Sequence, residues 1–316
     1  MTAALAAMPS FGQFIDYGFH WPLLGGAAIA MLSGLLSVLV LLKRMSFIGQ
    51  GISHAAFGGV GLAFLGSLAA AAWGWGAADL WGSLFRDGII ALFCVLAAVA
   101  IGFITRRGRF AEDTSIGIVL VAAMALGVLL VDIRQHWLDQ LLRAGQLTRA
   151  EVGYTVGFHN ILFGDILSLG PAETIAAWAL AAIVILWMAA LFKELVFFAF
   201  DEETATVFGV RTSLLYYGLL VLLGLAIVAA LRGLGVILAS ALLVLPGASA
   251  RSLSNRVGVV TFLSAAIAVL GLAGGFLLSL WLDYLTPGPV IVLTLCVLCA
   301  ACYALGKTLR RKAPPQ

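Results

Sequence analysis

The residues best suited to chemistry lie within one apolar stretch, SFIGQGISHAAFGGVGLAFLG, at positions 46–66. It carries Gln50, Ser53 and His54, and an imidazole that titrates near neutrality is rarely placed in an apolar segment without a use. Gln50 and His54 are four residues apart, so they share one face of a helix. An imidazole nitrogen ligates divalent transition metals well, whereas an amide oxygen is a weak, neutral ligand. The pair could form part of a metal site, a proton or ion relay, or a hydrogen bond between helices.

Small and helix-breaking residues suggest where helices approach closely or move. Gly58 and Gly61 continue roughly the face of Gln50 and His54, which indicates a path lined by that face. Later in the chain, the stretch RGLGVILASALLVLPGASAR contains Gly235 and Pro246. The four residues Gly58, Gly61, Gly235 and Pro246 either serve helix packing or belong to a gate.

The composition predicts that these residues belong to a membrane protein. Of 316 residues, 63% are hydrophobic and 10% charged, and the mean hydropathy is +1.11, far outside soluble globular usage. Apolar runs of about twenty residues without strand alternation predict helices, because a backbone in lipid must satisfy its hydrogen bonds within each segment. We expect an all-α polytopic protein whose residues 1–316 form a single transmembrane domain.

The apolar runs predict nine transmembrane helices, or eight if the short, glycine-rich seventh run, which Pro246 ends, does not cross. They lie at residues 22–42, 47–72, 88–105, 114–131, 171–192, 213–231, 234–250, 257–281 and 289–306. Basic residues concentrate in cytoplasmic loops. With nine spans, all but five of the 18 Lys and Arg residues fall on one side, the five being Arg86, Arg134, Arg143, Arg149 and Arg232. The N-terminus is therefore expected outside and the C-terminus in the cytoplasm.

Two connections between the spans are long. The outer connection, residues 132–170, carries Asp165, which follows Gly164 and precedes Pro171. Asp165 is expected either to cap a turn or to line the outer mouth of a path. Within this connection, residues 152–169 are apolar enough to dip into the protein as a half helix, or they stay outside.

The cytoplasmic connection, residues 193–211, predicts a short helix that docks on another protein. Asp201 is a suitable N-cap, Glu202 and Glu203 suit the first turn, and Gly209 suits the end. Phe200, Ala205 and Phe208 would give this helix an apolar side.

Three passages together resemble one known family. They are MSFIGQGISHAAFGGVGLAFLG, similar to the family pattern GDxxSHxxxxG; FGDIL at 163–167; and FDEETATVFGV followed by GVILASALLVLPGASAR. In this order and spacing, the chain resembles the membrane subunit of bacterial ATP-binding-cassette importers for zinc, manganese and iron, over about residues 20–306.

The resemblance implies a homodimeric permease of the bacterial inner (plasma) membrane with metal passing along the dimer interface. It implies three kinds of partner: a second copy, an outer solute-binding protein and a cytoplasmic ATP-binding subunit that carries the ATP. That subunit would dock on Asp201, Glu202, Glu203, Ala205 and Gly209. The chain itself is not expected to be an enzyme, because it has no Walker A loop, zincin helix or nucleophile elbow. No permanently bound cofactor and no nucleic acid are expected.

One departure from the family pattern concerns the metal site. The pattern has Asp four residues before the histidine, and here Gln50 stands at that position. A divalent ion in a low dielectric needs negative charge, which Asp165 or a second subunit could supply. Because an imidazole site with few carboxylates suits zinc better than manganese, we expect zinc first, then manganese or iron, as transported substrate. The alternative function is a partner-independent secondary transporter or ion channel.

Overall fold

The structure, a computed structural model, describes residues 18–72, 80–108, 110–145, 164–282 and 285–312. Across these ranges every regular element is a helix. Nine helical segments among them are long and apolar enough to cross a membrane. The prediction of an all-α polytopic protein with nine spans is therefore confirmed.

We number the helices in chain order. They are α1 (His20–Leu42), α2 (Ile48–Ala72), α3 (Leu80–Arg106), α4 (Glu112–Arg143), α5 (Pro171–Ala190), α6 (Phe192–Phe200), α7 (Glu202–Val207), α8 (Thr212–Leu242), α9 (Leu245–Leu253), α10 (Val257–Trp281) and α11 (Pro287–Lys312). A 3₁₀ turn, Ile166–Ser168, precedes α5. Helices α6 and α7 are too short to span a bilayer, which requires about 20 residues.

Helix α4 is longer than the sequence predicts. The fourth predicted span ends at residue 131, where the apolar run stops, whereas α4 continues to Arg143. Hydropathy sets where a helix leaves lipid, but it does not set where main-chain hydrogen bonding stops. Residues 132–143 add about 18 Å of helix at 1.5 Å per residue. The first part of the long 132–170 connection is therefore helical.

The seventh span, Gly233–Leu253, consists of two helical pieces. Helix α8 is interrupted at Gly235, whose φ of 74° and ψ of 171° lie outside the helical region. Helix α8 then ends at Leu242, and α9 begins at Leu245 with Pro246 in its first turn. Proline is well tolerated there because the amide hydrogen that it lacks would have no partner within the helix. The expectation that Pro246 ends a helix is wrong, since Pro246 helps to begin one.

The chain divides into two compact units. The first comprises Met1–Gly49, Phe158–Leu215 and Ala229–Gln316, and the second comprises Gln50–Gly157 and Tyr216–Val228. Helix α8 contributes residues to both units.

In the first unit, α1 is the central helix and packs against α5, α9 and α10. A Cβ at Gly34 of α1 would lie 2.9 Å from the main-chain oxygen of Ser264 in α10. The Ser264 hydroxyl donates a hydrogen bond of 2.6 Å to the Gly34 carbonyl. The core around this contact is made by apolar residues of five helices, including Ala28, Ile29, Ala177, Leu234, Leu238, Leu272, Phe276 and Ile291.

In the second unit, glycines also bring helices close together. A Cβ at Gly102 of α3 would collide with Leu220 of α8, and one at Gly224 of α8 would lie 3.2 Å from the Cα of Val95. At one end of this unit, the Arg106 guanidinium lies 4.7 Å from the centroid of the Tyr216 ring. This cation–π contact joins the end of α3 to the beginning of α8.

Candidate functional site

Gln50 and His54 lie near the beginning of α2, in the second unit. Gln50 is exposed and His54 is half-buried, so both occupy the side of α2 that the chain leaves uncovered. The His54 ring stacks beside Phe57, with centroids 6.2 Å apart. Among the described residues, the His54 Nδ1 has no hydrogen-bond partner although it is buried. Leaving a buried nitrogen without a partner costs free energy, and the His54 ring is therefore not oriented by a hydrogen bond of its Nδ1 within the described residues.

The glycines of α2 pack against its neighbours. A Cβ at Gly58 would lie 2.5 Å from the Phe93 ring of α3 and 3.0 Å from the Ala123 carbonyl of α4. A Cβ at Gly61 would lie 2.8 Å from the Gly127 carbonyl of α4. Both glycines therefore lie in contacts between helices, and they are buried, whereas Gln50 is exposed and His54 half-buried. Whether they also belong to a gate or to a path stays a prediction.

Among the described residues of one chain, the donor set around His54 is incomplete. Across the part of the chain that the structure describes, no group of three or more His, Cys, Asp or Glu side chains could hold a metal ion. Histidine and glutamine together offer two neutral ligands, whereas zinc sites in proteins are almost always four-coordinate. Any cation at His54 therefore needs ligands from elsewhere, and the assignment of His54 and Gln50 to a metal path stays a prediction.

Asp165 lies in the first unit, just before the 3₁₀ turn. Its Oδ1 accepts a hydrogen bond of 3.2 Å from the Leu167 amide, so it caps the turn. The Ser168 hydroxyl donates to the Asp165 main-chain oxygen at 2.6 Å. The side chain is exposed. The capping role is therefore present, while a role at the mouth of a metal path stays a prediction. Residues 152–163 of the predicted re-entrant segment lie outside the described residues.

The residues next to Asp165 pack against the break in α8. Gly164 has a φ of +66°, and a Cβ there would collide with the main chain at Gly235. A Cβ at Gly233 would lie 2.7 Å from the Leu169 side chain. The main chain at Gly164 is therefore in direct contact with the main chain at Gly235, and this contact requires glycine at both positions. In this structure Gly235 serves packing, and its role as a gate stays a prediction, as does that of Pro246.

Helix α7 is the short helix predicted after Asp201. The Asp201 carboxylate accepts hydrogen bonds from the Thr204 hydroxyl and from the Thr204 amide, the latter at 2.9 Å. These bonds, the hydroxyl one first, hold the pKa of Asp201 below its usual value. At the other end, Gly209 has a φ of +85°, and the amides of Gly209 and Val210 donate to the carbonyls of Thr206 and Ala205. This is a Schellman motif, so the predicted cap and the predicted end are both confirmed.

The side chains of α7 divide between an inner and an outer surface. Ala205 is completely buried, and Glu202 is turned inward to Lys43, with Oε2 2.7 Å from Nζ. The expectation that Ala205 joins an exposed apolar side is wrong, because this small residue anchors α7. The exposed apolar surface consists of Phe200, Val207 and Phe208, which are 61%, 85% and 76% exposed. Glu203 is also exposed.

The geometry can be compared with known proteins. The sequence profile of the ABC 3 transport family matches residues 16–305. The chain belongs to this family. The match begins before α1 and ends within α11, so it includes α2 with His54, the α8 break and α7. Membership and the nine apolar helices together identify a multi-pass protein of the bacterial plasma membrane.

Relatives within the ABC 3 transport family align over most of their length. The manganese transport system membrane protein MntC of Halalkalibacterium halodurans is 28% identical over 283 residues, which is 89% of this chain and 86% of the relative. The chelated iron transport system membrane protein YfeD of Yersinia pestis is 32% identical, over 89% of this chain and 84% of the relative. The solved structure of PsaBC from Streptococcus pneumoniae in complex with Fab is 26% identical and has a TM-score of 0.70, covering 93% of this chain and 95% of that chain.

The sequence did not indicate the partners of two residues. Lys43 is one of the 18 Lys and Arg residues of the chain and follows the first apolar run, and it pairs with Glu202, 159 residues away. Gly164 carries no obvious signal beyond its position next to Asp165, yet it lies against Gly235. Neither contact follows from a local pattern, since both join segments that only the folded chain brings together.

Proposed function

We propose that this member of the ABC 3 transport family is the membrane subunit of an importer for divalent transition metal ions. Transport is driven by ATP hydrolysis on a separate cytoplasmic subunit, and an outer solute-binding protein delivers the ion. The observation that carries the proposal is the family match over residues 16–305. The names of the relatives, which refer to manganese and chelated iron transport systems, support a metal ion as the substrate.

The ion passes His54 along an interface between two copies of the chain. Gln50 is exposed and His54 half-buried on a membrane-spanning helix, and polar side chains at that depth normally face protein or water. A second copy over this face would withdraw both side chains from lipid. Two imidazoles and two amide oxygens would then supply four neutral ligands, the usual coordination number of zinc. Such a site releases its ion readily because it contains no carboxylate.

The ATP-binding subunit docks on α7, which the predicted orientation places in the cytoplasm. The exposed side chains of Phe200, Val207 and Phe208 provide an apolar contact surface, and Glu203 adds a charge beside it. An apolar surface on a cytoplasmic segment favours a protein partner over water. Closure of the ATP-binding subunits would then push α7 and alternate the access of the path.

The donor types and the relatives point to different metals. An imidazole and an amide favour zinc over manganese, which prefers oxygen ligands. The relatives named above refer to manganese and iron. We place zinc first on ligand chemistry, with manganese and iron next. Competition between the three ions in one uptake assay tests this order directly.

The proposal is tested by metal uptake in liposomes that contain the full complex and the solute-binding protein. The His54→Ala variant should reduce ATP-driven uptake of zinc by at least about tenfold, because the loss of even a residue that supports a metal ligand typically costs about 10–100-fold. The matched control is His136→Ala, because His136 is an exposed histidine on α4 whose Nε2 contacts Gln140. Normal uptake by the His54→Ala complex would remove His54 from the path.

The dependence on a partner has its own test. The purified chain should bind an ATP-binding subunit and should transport no metal without it. Metal uptake by liposomes that contain the chain alone would overturn the importer proposal in favour of a secondary transporter or channel.

A further inference from the structure

Lys43, the C-cap of α1, connects that helix to α6 and α7. Its Nζ lies 2.7 Å from the Glu202 Oε2, 3.5 Å from the Phe198 carbonyl and 4.0 Å from the centroid of the Phe198 ring. The side chains of Lys43 and Glu202 are 14% and 34% exposed. Partly buried charges are screened less by salt and water than charges on an open surface. The ammonium group is therefore held by an anion, a carbonyl and an aromatic ring at once.

On one side of this ion pair is a rigid short helix. Helix α7 has six residues, too few to be stable alone, but it is capped by Asp201 and closed by a Schellman motif at Gly209. Ala205 fixes its inner face because it is completely buried. A force on the outer surface of α7 is therefore expected to move the helix as one body, together with Glu202.

On the other side is the tight turn between α1 and α2. Arg44 has a φ of 61°, and the amides of Arg44 and Met45 donate to the carbonyls of Leu41 and Val40. Met45 is completely buried. This turn is a second Schellman motif, here with arginine in the left-handed position. Helix α2 begins at Ile48, so only the five residues 43–47 connect α1 to α2. A displacement of this turn is therefore passed on to the beginning of α2 through the main chain.

We propose that Lys43 is a positioning residue that transmits the displacement of α7 to the turn between α1 and α2. The inference rests on the proposed function, in which the ATP-binding subunit pushes α7. The ion pair joins two elements that are 159 residues apart in sequence, so it resists their separation. Without it, Phe200 at the end of α6 and Val207 and Phe208 at the end of α7 are still exposed to the partner, but the movement of α7 is no longer passed on to α1.

The test compares metal uptake with ATP hydrolysis in the same liposomes, which contain the full complex and the solute-binding protein. Lys43→Ala and Glu202→Gln should each lower the number of metal ions taken up per ATP by at least about fivefold, the lower range of coupling between sites. In the Lys43→Ala complex, ATP hydrolysis and binding of the ATP-binding subunit should stay at the wild-type level. Lys43→Arg should keep the ratio, since a guanidinium also pairs with a carboxylate. The control is Lys193→Ala, which removes an exposed lysine of α6.

A charge-swapped variant, Lys43→Glu combined with Glu202→Lys, separates the ion pair from effects on folding. It should recover a large part of the uptake per ATP that the single variants lose. A wild-type ratio in a folded Lys43→Ala or Glu202→Gln complex would overturn the inference, and so would a swapped variant no better than the single ones. If the wild-type complex shows no ATP-driven uptake, the proposed function itself fails, which is a distinct result.

Discussion

The Ser37 hydroxyl of α1 accepts a hydrogen bond of 3.0 Å from the Gly247 amide of α9. It also donates to the Val244 carbonyl at 3.5 Å. The amide belongs to the first turn of α9, where no acceptor exists within the helix. Ser37 is completely buried, and a Cβ at Gly247 would lie 2.5 Å from its Oγ. One hydroxyl of α1 thus caps the helix that follows the α8–α9 break.

Replacing this hydroxyl should destabilise the protein. Ser37→Ala leaves a buried amide without an acceptor, and we expect the free energy of unfolding to fall by about 1–3 kcal/mol. Thermal unfolding in detergent measures the change. Ser240→Ala is the control, because the Ser240 hydroxyl only donates back to Ile237 of its own helix, and we expect a change under about 0.5 kcal/mol. Equal stability of Ser37→Ala and wild type would contradict the cap.

A single added methyl group should also destabilise the contact between α2 and α4. A Cβ at Gly127 would lie 2.6 Å from the Phe57 carbonyl, and main chain cannot step aside as a flexible side chain can. We expect Gly127→Ala to cost about 1–3 kcal/mol. Gly117→Ala in the same helix meets no atom within 4 Å and should stabilise by roughly 0.5–1 kcal/mol. Opposite signs in the two unfolding measurements are the expected result, and equal signs would contradict the packing.

The Asp201 cap predicts the direction in which the stability of α7 changes with pH. Its folded-state pKa is lowered by the bonds from Thr204, so the cap contributes fully above the unfolded pKa of about 3.9. The contribution is lost as pH falls through the lower, folded pKa. Hydrogen exchange of a peptide that spans α7, corrected for intrinsic rates, should show constant protection from about pH 8 to pH 5 and loss below about pH 4.

The Asp201 variants supply the control for that experiment. Asp201→Asn keeps an oxygen acceptor but has no charge to titrate, so its protection should not change with acid. Asp201→Ala should lack protection at every pH, since the Thr204 amide then has no cap. Acid-dependent protection in Asp201→Asn would show that another group causes the effect.

Adding a carboxylate beside His54 should tighten metal binding. In Gln50→Asp an anion lies one helical turn from the imidazole, and an opposite charge near 4 Å is worth up to about 4 kcal/mol at an effective dielectric of 20. We expect at least about tenfold tighter binding of manganese, measured by equilibrium dialysis of the detergent-solubilised complex, and slower release during transport. Gln50→Asn, which adds no charge, is the control. An unchanged manganese affinity of Gln50→Asp would show that the side chain at position 50 does not contact the metal ion.

The sequence was sufficient wherever the cause of the structure is local or is imposed by lipid. Nine spans followed from hydropathy because the backbone of every apolar run that crosses a bilayer must satisfy its hydrogen bonds within a helix. The beginning and end of α7 followed from Asp201 and Gly209, since a cap and a left-handed glycine act within a few residues.

Contacts between distant segments could not be predicted. Gly58 and Gly61 lie near His54 on a helical wheel. Because they have no side chains, α3 and α4 can approach them closely, and both glycines are buried. The extension of α4 beyond residue 131 carries polar residues, which hydropathy assigns to a loop. The Lys43–Glu202 pair could be identified only from the folded structure, because the sequence contains many other charged residues that could have been the partner of either.

The packing of α1 has a consequence for the synthesis of the chain. Gly34 of α1 meets Ser264 and Ala268 of α10, which leave the ribosome more than two hundred residues later. At about 5–20 residues per second, α1 waits for roughly 10–50 seconds before that partner exists. During this interval the Gly34 side of α1 lacks its neighbour α10, although α5, which also packs against α1, is made earlier. The first described helix to be inserted is therefore among the last to reach its final neighbours.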